Sequence, residues 1–389
     1  MTRKVAVVVT ARPSYSRVKT AMEAISQHPD LELQVIVAAS ALLDRYGRVE
    51  QQIIADGFHV SARAYTVLEG ENPTSMARTT GLGVLELASI FERLAPDVVV
   101  SVADRFETLS TAIAATYMGI PLAHVQGGEV TGSIDERVRH AVTKLADIHF
   151  PSSPLAAENI ARMGEESTSI YLTGCPSIDL AARVPRHGKL TFDPFDLYGG
   201  VGQRLNLNDG YIIVMQHPVT TEYEHAREQV TMLLKVVEEL GINTLWFWPN
   251  VDAGSDETSR GIRSFRESGR GGKMHFFKSV APEHFIELLH HCRAIVGNSS
   301  VAIRECSYLG VPAVNVGGRQ FGRERGPNVV DVDFDRSALI EAIRLQTARG
   351  KAAPATIFGK GDAGQQIADA LATHKFRRDK RLHYSALRD

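Results

Sequence analysis

The chain has 389 residues, 44% of them apolar, enough to bury the cores of two domains of ordinary size. Its formal net charge is −2, with no block of like charges and no basic stripe, which argues against a nucleic-acid or anionic-membrane surface. The three cysteines, Cys175, Cys292 and Cys306, form no CxxC pair and leave an odd count; this disfavours a disulfide framework or a zinc knuckle and fits a reducing cytoplasm.

MTRKVAVVVTA sets Arg3 and Lys4 before an apolar run too short for a signal peptide, with Arg12-Pro13 following at once, so an opening buried strand is expected. No stretch approaches the roughly 20 apolar residues of a membrane span. KVAVVVT (4–10), ELQVIVAA (32–39), DVVVSVA (97–103) and IPLAHVQ (120–126) read as parallel strands buried on both faces. GVLELASIFERLA (83–95) is helical in pattern, and the alternation predicts a doubly wound α/β domain over 1–173. The Gly-, Pro- and Asp-rich stretch 186–210 reads as a linker. The rhythm then resumes in YIIVMQ (211–216), NTLWFWP (243–249), KMHFFK (273–278), AIVGN (294–298) and PAVNVG (312–317), giving a second α/β domain over 174–364.

Ligands of open α/β sheets bind outside the carboxyl ends of the strands, so two such domains place the expected site in the cleft between them. Polar residues follow the strands in both halves. Arg12 follows the first, Asp104-Arg105 the third, and HVQGGEVTGSIDERVRHAVTK (124–144) begins within the fourth. Those twenty-one residues hold two histidines and six charged side chains, dense for a chain 23% charged. Ser133 and Glu136 fit a capping box and need no further role. Asp135 is different: it shares a face with Val138 and Val142, so it is expected to point inward. With Gln126 and Glu129 on the turn before it and Asp104 on the neighbouring strand exit, it makes an acid/base constellation.

In the second half, QHPVTTE (216–222) puts His217 at a strand end, where a phosphate-facing role competes with a structural one. GNSSVAIRE (297–305) leads from strand to helix, and Ser299 and Ser300 can be an ordinary cap or part of an anion site. Glu305 could accept the hydroxyls of a ribose or lie solvated. GGRQFGRERGPN (317–328) carries three arginines, either a loop that folds over a diphosphate or a solvated surface loop. GKGDAG (359–364) matches GxGxxG but lacks the strand and βαβ context of a dinucleotide site, and is expected to lead into the helix QQIADALATHK (365–375). The histidines show no metal-ligand spacing, and there is no G-x-S-x-G elbow or Walker loop.

Eight collinear segments, TARPSYS (10–16), ADRFET (103–108), GGEVTGSIDERVRHAVTKLAD (127–147), TGCPSID (173–179), QHPVTT (216–221), WPNVDAGS (248–255), GNSSVAIRE (297–305) and GGRQFGRE (317–324), resemble the hydrolysing UDP-N-acetylglucosamine 2-epimerases that begin sialic-acid and legionaminic-acid synthesis. The resemblance implies a two-domain glycosyltransferase-B fold, with the C-terminal helix region 365–389 crossing back to the first domain. It implies that Arg12 and Arg105 meet the diphosphate or the sugar. His217, Ser299, Ser300 and Arg319 would hold phosphates, Glu305 the ribose, and Asn250 would line the nucleotide site. Asp104 and Asp135 fall on acid/base positions.

Two positions depart from the family pattern. Gln126 stands where a catalytic Glu is expected, which shifts that role to Glu129 or another nearby carboxylate or removes it. Ala41 stands where a substrate-side histidine is expected. Both changes are expected on the sugar side, pointing to a 2,4-diacetamido-6-deoxy sugar in place of N-acetylglucosamine.

The activity so implied is elimination of UDP to a 2-acetamidoglucal followed by hydration, yielding UDP and the free 2-epimer with no cofactor and no metal. A UDP-sugar is the expected partner, self-association to a dimer or tetramer is expected, and nucleic acid and membrane are not. A UDP-sugar glycosyltransferase would share the fold but spare carbon 2, and the carboxylates at 104 and 135 argue against it. A non-hydrolysing epimerase is disfavoured by the GGEVTGSIDE form of the motif. A non-catalytic UDP-sugar sensor has only Gln126 in its favour.

Overall fold

The computed structural model describes residues 2–44, 47, 49–69, 72–131, 134–185, 188–249, 254–377 and 379–383. They form two compact units, one from Met1–Val130, Ile134–Ala182 and Ile357–Asp389, the other from Thr131–Ser133 and Arg183–Thr356.

The sheet of the first unit contains β1 (Arg3–Val9), β2 (Leu31–Ala38), β3 (Val60–Ala64), β4 (Val98–Val102), β5 (Leu122–Val125) and β6 (Ile148–Phe150), all parallel in the order β3-β2-β1-β4-β5-β6. Alternate residues of β1 serve two cores. Val5, Val7 and Val9 pack with Met22, Ile25, Ile367 and Leu371, while Ala6 and Val8 pack with Leu87, Ile90, Phe91 and Val142. Burial on both faces is why these strands read as unbroken apolar runs. The helix expected over 83–95 is longer, Pro73–Leu94, started by a capping box between Asn72 and Ser75.

The last helix, Ala363–Thr373, belongs to this first unit. Asp179 accepts hydrogen bonds from the backbone of Ala363 (3.0 Å) and Gly364 (2.7 Å) at its N-terminus and from the Thr20 hydroxyl (2.8 Å). A carboxylate suits that position, where unsatisfied N–H groups concentrate positive potential. Gly364 lies against the Thr20 backbone, closer than a Cβ would allow, so the glycine of GKGDAG serves helix packing. These contacts also keep residues 176–182 of the helix Pro176–Arg183 in the first unit, and the chain passes to the second unit at Arg183.

The second unit repeats the topology. Its strands β7 (Val201–Gly202), β8 (Ile212–Met215), β9 (Thr244–Phe247), β10 (Met274–Phe277), β11 (Ala294–Gly297), β12 (Ala313–Val316) and β13 (Val329–Val332) lie in the order β13-β12-β11-β8-β9-β10-β7. Only β7 is antiparallel. Without that edge strand, the order outward from β8 is that of the first sheet outward from β1. The stretch taken for a linker is structured among its described residues. Asp193 caps a helix, Pro194–Tyr198, and the glycines of Val201–Gly202 and its approach let the backbone lie flat on β10. No described helix is long and apolar enough to cross a membrane.

A charge cluster around the buried Glu165 and His149 braces the first unit. Glu165 meets His149 Nε2 at 3.1 Å, Lys380 at 2.7 Å, and Lys144 on the helix Ile134–Leu145. Burial would raise its pKa, but hydrogen bonds from His149, Lys144 and Lys380 outweigh this and draw it down to about 2. A carboxylate lowered on folding stabilises the native state above its unfolded pKa, and that stability is lost as pH falls toward 2. Burial draws His149 down as well, with the same sign. Unfolding followed by circular dichroism should therefore show wild type losing on the order of 1–2 kcal/mol between roughly pH 5 and pH 2 through Glu165, less than the full shift because solvent screens the two lysines. Glu165→Gln should be less stable at pH 7 and lack that part of the acid limb; parallel acid curves would contradict the assignment.

Candidate functional site

Among the described residues, four non-glycine residues have positive φ, and three of them directly follow strands: Ala39 (50°) after β2, Ala103 (64°) after β4 and Gln126 (67°) after β5. Left-handed backbone costs such residues on the order of 1 kcal/mol or more, and it persists where surroundings over-determine it, commonly at functional sites. The strained positions lie at the carboxyl edge, where an open α/β sheet binds ligands.

At this edge of the first unit, the centre is a residue that sequence analysis did not single out. Arg139, fully buried on the helix Ile134–Leu145, donates to the Asp104 carboxylate through Nη2 and to the Glu129 carbonyl through Nη1 at 2.7 Å. Burial alone would lower its pKa; the charges of Asp104, Glu129 and Asp135 outweigh burial and raise it, so the cation is fixed. Asp104 is 8% and Glu129 4% exposed, and Arg17 stands 3.9 Å from the second oxygen of Asp104. Glu129 also accepts a hydrogen bond from the buried Ser152 hydroxyl. Asp135 is half-buried in the first helical turn, one turn before Arg139. The buried face of this helix comprises Val138, Arg139, Val142 and Thr143, so the expected apolar stripe carries a cation and a hydroxyl. Ser133, the expected N-cap, lies outside the described residues.

Gln126 is 1% exposed and donates through Nε2 to the Cys175 sulfur, which also contacts the Ser177 hydroxyl at 2.8 Å. Its Oε1 has no hydrogen-bond partner among the described residues. Arg105 is engaged by Glu107 in a two-toothed pair, 3.1 Å at each contact, at the start of the helix Phe106–Tyr117. Arg12 opens the short helix Arg12–Ser16, and burial lowers its pKa to about 10, still cationic at neutral pH. Ala41 is fully buried in the apolar core, its N–H bonded to the Thr10 carbonyl at 3.1 Å. It is a packing position, which corrects the expectation that its side chain faces the sugar.

In the second unit the switch point falls between β8 and β11, and Asn298 ties it together. Its Oδ1 accepts from the His217 N–H (2.8 Å) and its Nδ2 donates to the His217 carbonyl (2.7 Å). Gly297, at φ 126°, lets this happen: a Cβ there would overlap the Met215 carbonyl. Ser299 caps a 3-10 turn, Ser300–Ala302, accepting weakly from Val301 N–H at 3.4 Å. The helix into which 297–305 is expected to lead is thus a 3-10 turn followed by a short helix, Glu305–Leu309. Glu305 is 5% exposed, and its Oε2 has no hydrogen-bond partner among the described residues.

The arginine-rich segment after β12 is neither loose nor simply solvated. Arg319 and Gln320 both donate to the Asn298 carbonyl, at 3.2 and 2.9 Å, Arg323 bonds Gln320, and Arg325 pairs with Asp331. Arg319 and His217 are thereby gathered around Asn298, with Ser299 and Ser300 next in the chain. Asn250 lies outside the described residues.

Two Rossmann-like units of one strand order, each with polar groups at its switch point, define an enzyme architecture of the glycosyltransferase-B class. The family model for UDP-N-acetylglucosamine 2-epimerase matches residues 23–372, and the chain belongs to that family. A UDP-N,N'-diacetylbacillosamine 2-epimerase (hydrolyzing) of Legionella pneumophila is 29% identical over 96% of both chains. A UDP-N-acetylglucosamine 2-epimerase of Neisseria meningitidis is 28% identical over 92% of both. The crystal structure of UDP-GlcNAc 2-epimerase from Neisseria meningitidis bound to UDP-GlcNAc superimposes with a TM-score of 0.75 at 17% identity, covering 95% of this chain and all of that one, a likeness of fold.

Proposed function

We propose that this protein is a hydrolysing 2-epimerase of a UDP-2-acetamido sugar. The observation that carries the proposal is the group of Asp104, Glu129 and Asp135 around Arg139, acids collected at one sheet edge with a cation to hold them. A glycosyltransferase, which leaves carbon 2 alone, has no use for it.

The chemistry needs such a group. The proton on carbon 2 is too weakly acidic for a carboxylate to remove unaided. Departure of UDP, taking the electron pair of its bond to carbon 1, leaves an oxocarbenium-like centre that acidifies the neighbouring C–H. A carboxylate then takes the proton, and the C–H electrons become the double bond of a 2-acetamidoglucal. Water adds at carbon 1 while a proton returns to carbon 2 on the opposite face, giving the free 2-epimer. Asp104 and Asp135 are assigned to these proton transfers. Glu129 takes over where Gln126, an amide, cannot act as a base.

The departing diphosphate is assigned to His217, Ser299, Ser300 and Arg319, and Arg12 and Arg105 are assigned to the diphosphate or the sugar. Glu305, with an unpartnered carboxylate oxygen, suits a ribose diol, and Asn250 is assigned to the nucleotide. For the sugar we favour the 2,4-diacetamido-6-deoxy form over N-acetylglucosamine. Gln126 supports this preference through its buried carbonyl oxygen, which has no partner among the described residues and is an acceptor suited to an amide N–H, and so does the similarity to the Legionella UDP-N,N'-diacetylbacillosamine 2-epimerase.

Proton NMR in deuterated water, with both UDP-sugars side by side, tests the proposal. Release of UDP together with a free manno-configured sugar deuterated at carbon 2 is expected, faster from the diacetamido substrate. UDP release with the carbon 2 proton retained would sink the epimerase mechanism, and preference for UDP-GlcNAc would sink the choice of sugar. Binding of both without turnover would make the protein a sensor.

A further inference from the structure

His124 is not needed for any step above, yet it is fully buried beneath the acid group. Its Nε2 lies 2.8 Å from the Ala103 carbonyl and its Nδ1 3.1 Å from the Thr143 hydroxyl. A carbonyl only accepts, so Nε2 carries the proton and donates. Desolvation by burial takes the ring's pKa down to about 3, which keeps it neutral in ordinary buffers. Nδ1 therefore accepts from the Thr143 hydroxyl, and the tautomer is determined.

Ala103 is the left-handed residue that ends β4 and turns the chain into Asp104. Its N–H bonds the Val125 carbonyl at 2.9 Å, and its own carbonyl is taken by His124. Both peptide groups of a strained residue are thus pinned from β5. The helix Ile134–Leu145 closes the arrangement through two residues four apart on one face: Arg139 holds the Asp104 carboxylate, and Thr143 holds the ring that holds Ala103. The same pair sets the neighbouring turn, since a Cβ on Gly127 would come within 2.8 Å of both His124 Nδ1 and Thr143 Oγ1.

We propose that His124 is a positioning residue for Asp104, acting as a neutral Nε2–H donor that keeps Ala103 left-handed and so aims the carboxylate. The inference rests on the assignment of Asp104 to proton transfer. His124 touches no reacting atom and exchanges no proton during turnover.

The test compares variants that retain different halves of the imidazole. His124→Gln can still reach the Ala103 carbonyl with an N–H; His124→Asn reaches only as far as Thr143. Asparagine should lower kcat by about 100-fold, the cost of a displaced catalytic group, with KM and the Kd for UDP within about twofold of wild type. Glutamine should recover all but about tenfold of the rate. Should asparagine prevent folding, Thr143→Val, which removes only the hydroxyl that donates to Nδ1, should lower kcat about tenfold, one hydrogen bond's worth. In an Asp104→Asn background, His124→Asn should cost nothing further, because residues acting as a unit are not additive.

A His124→Asn enzyme with wild-type kcat, or one whose loss persists in full in the Asp104→Asn background, would overturn the positioning role. Equal losses in the Gln and Asn variants, tracking a fall in melting temperature, would reduce His124 to a structural residue. Full activity of Asp104→Asn alone would instead refute the assignment of Asp104, a result distinct from an active His124→Asn beside an inactive Asp104→Asn.

Discussion

Asp104→Asn is expected to lower kcat by about 10²–10⁴-fold, the range for a lost acid or base, while leaving the affinity for UDP near that of wild type. The amide keeps the size of the carboxylate and can still accept a hydrogen bond from Arg139, so the Ala103 turn should survive. What it cannot do is take a proton. The proposed diphosphate contacts around Asn298 are in the other sheet and do not involve Asp104, which is why binding and turnover should separate. Single-turnover UDP release, UDP titration calorimetry and a melting curve on one preparation would check this. A variant with normal kcat and weakened UDP binding would show that the carboxylate serves recognition and not chemistry.

Arg139→Met should have the largest effect on stability, about 3–5 kcal/mol, the usual consequence of removing one partner from a buried ion pair. The methionine keeps the apolar stem of the arginine but stops short of the guanidinium. Asp104 and Glu129, at 8% and 4% exposure, lose the cation they face, and the Glu129 carbonyl loses its donor. The melting temperature should fall by on the order of 10 °C. Like-charge repulsion then raises the pKa of at least one carboxylate, so residual activity should have its acid limb displaced to higher pH. Arg139→Lys retains the charge but not the fork that reaches two acceptors, and should fall between wild type and methionine. If Arg139→Met melts like wild type, Arg139 is not the organiser of this edge.

The strands legible in the sequence are the interior ones. β1, β2, β4, β5, β8, β9, β10, β11 and β12 all appear as short apolar runs, because a parallel strand covered by helices on both faces is filled mostly by apolar side chains, with few buried polar ones such as Ser101, His124 and Asn315. The four not anticipated, β3, β6, β7 and β13, are the outermost strands of the two sheets. β3 and β13 are partly exposed, while β6 and β7 have only three and two residues, and an edge strand's pairing is supplied by its neighbour rather than by its own pattern. The linker reading of 186–210 failed for a related reason: glycine, proline and aspartate there serve a helix cap and a close edge pairing.

At the site, the polar residues that follow strands were visible because they interrupt apolar runs: Arg12, Asp104, Arg105, Gln126, Glu129, His217, Ser299, Ser300 and Arg319. Their partners were not. Arg139 sits among polar neighbours on an amphipathic helix, and nothing local distinguishes a fully buried guanidinium from a solvated one. Ser152 reaches Glu129 across 23 positions, Cys175 reaches Gln126 across 49, and Asn298 reaches His217 across 81. Ala41, read as a departure facing substrate, is a core residue once β1 and the 3-10 turn Ala39–Leu42 are in place.

The sequence by itself determined the alternation of strand and helix, the doubling of the unit and the strand exits at which polar groups collect, because burial on both faces of a sheet imposes a local pattern on the chain. Only the tertiary structure decided which carboxylates share a cation, which amide is held by a thiol and which imidazole stays neutral. Charge pairing and desolvation act through space over a few ångströms, between residues whose separation along the chain carries no record of it.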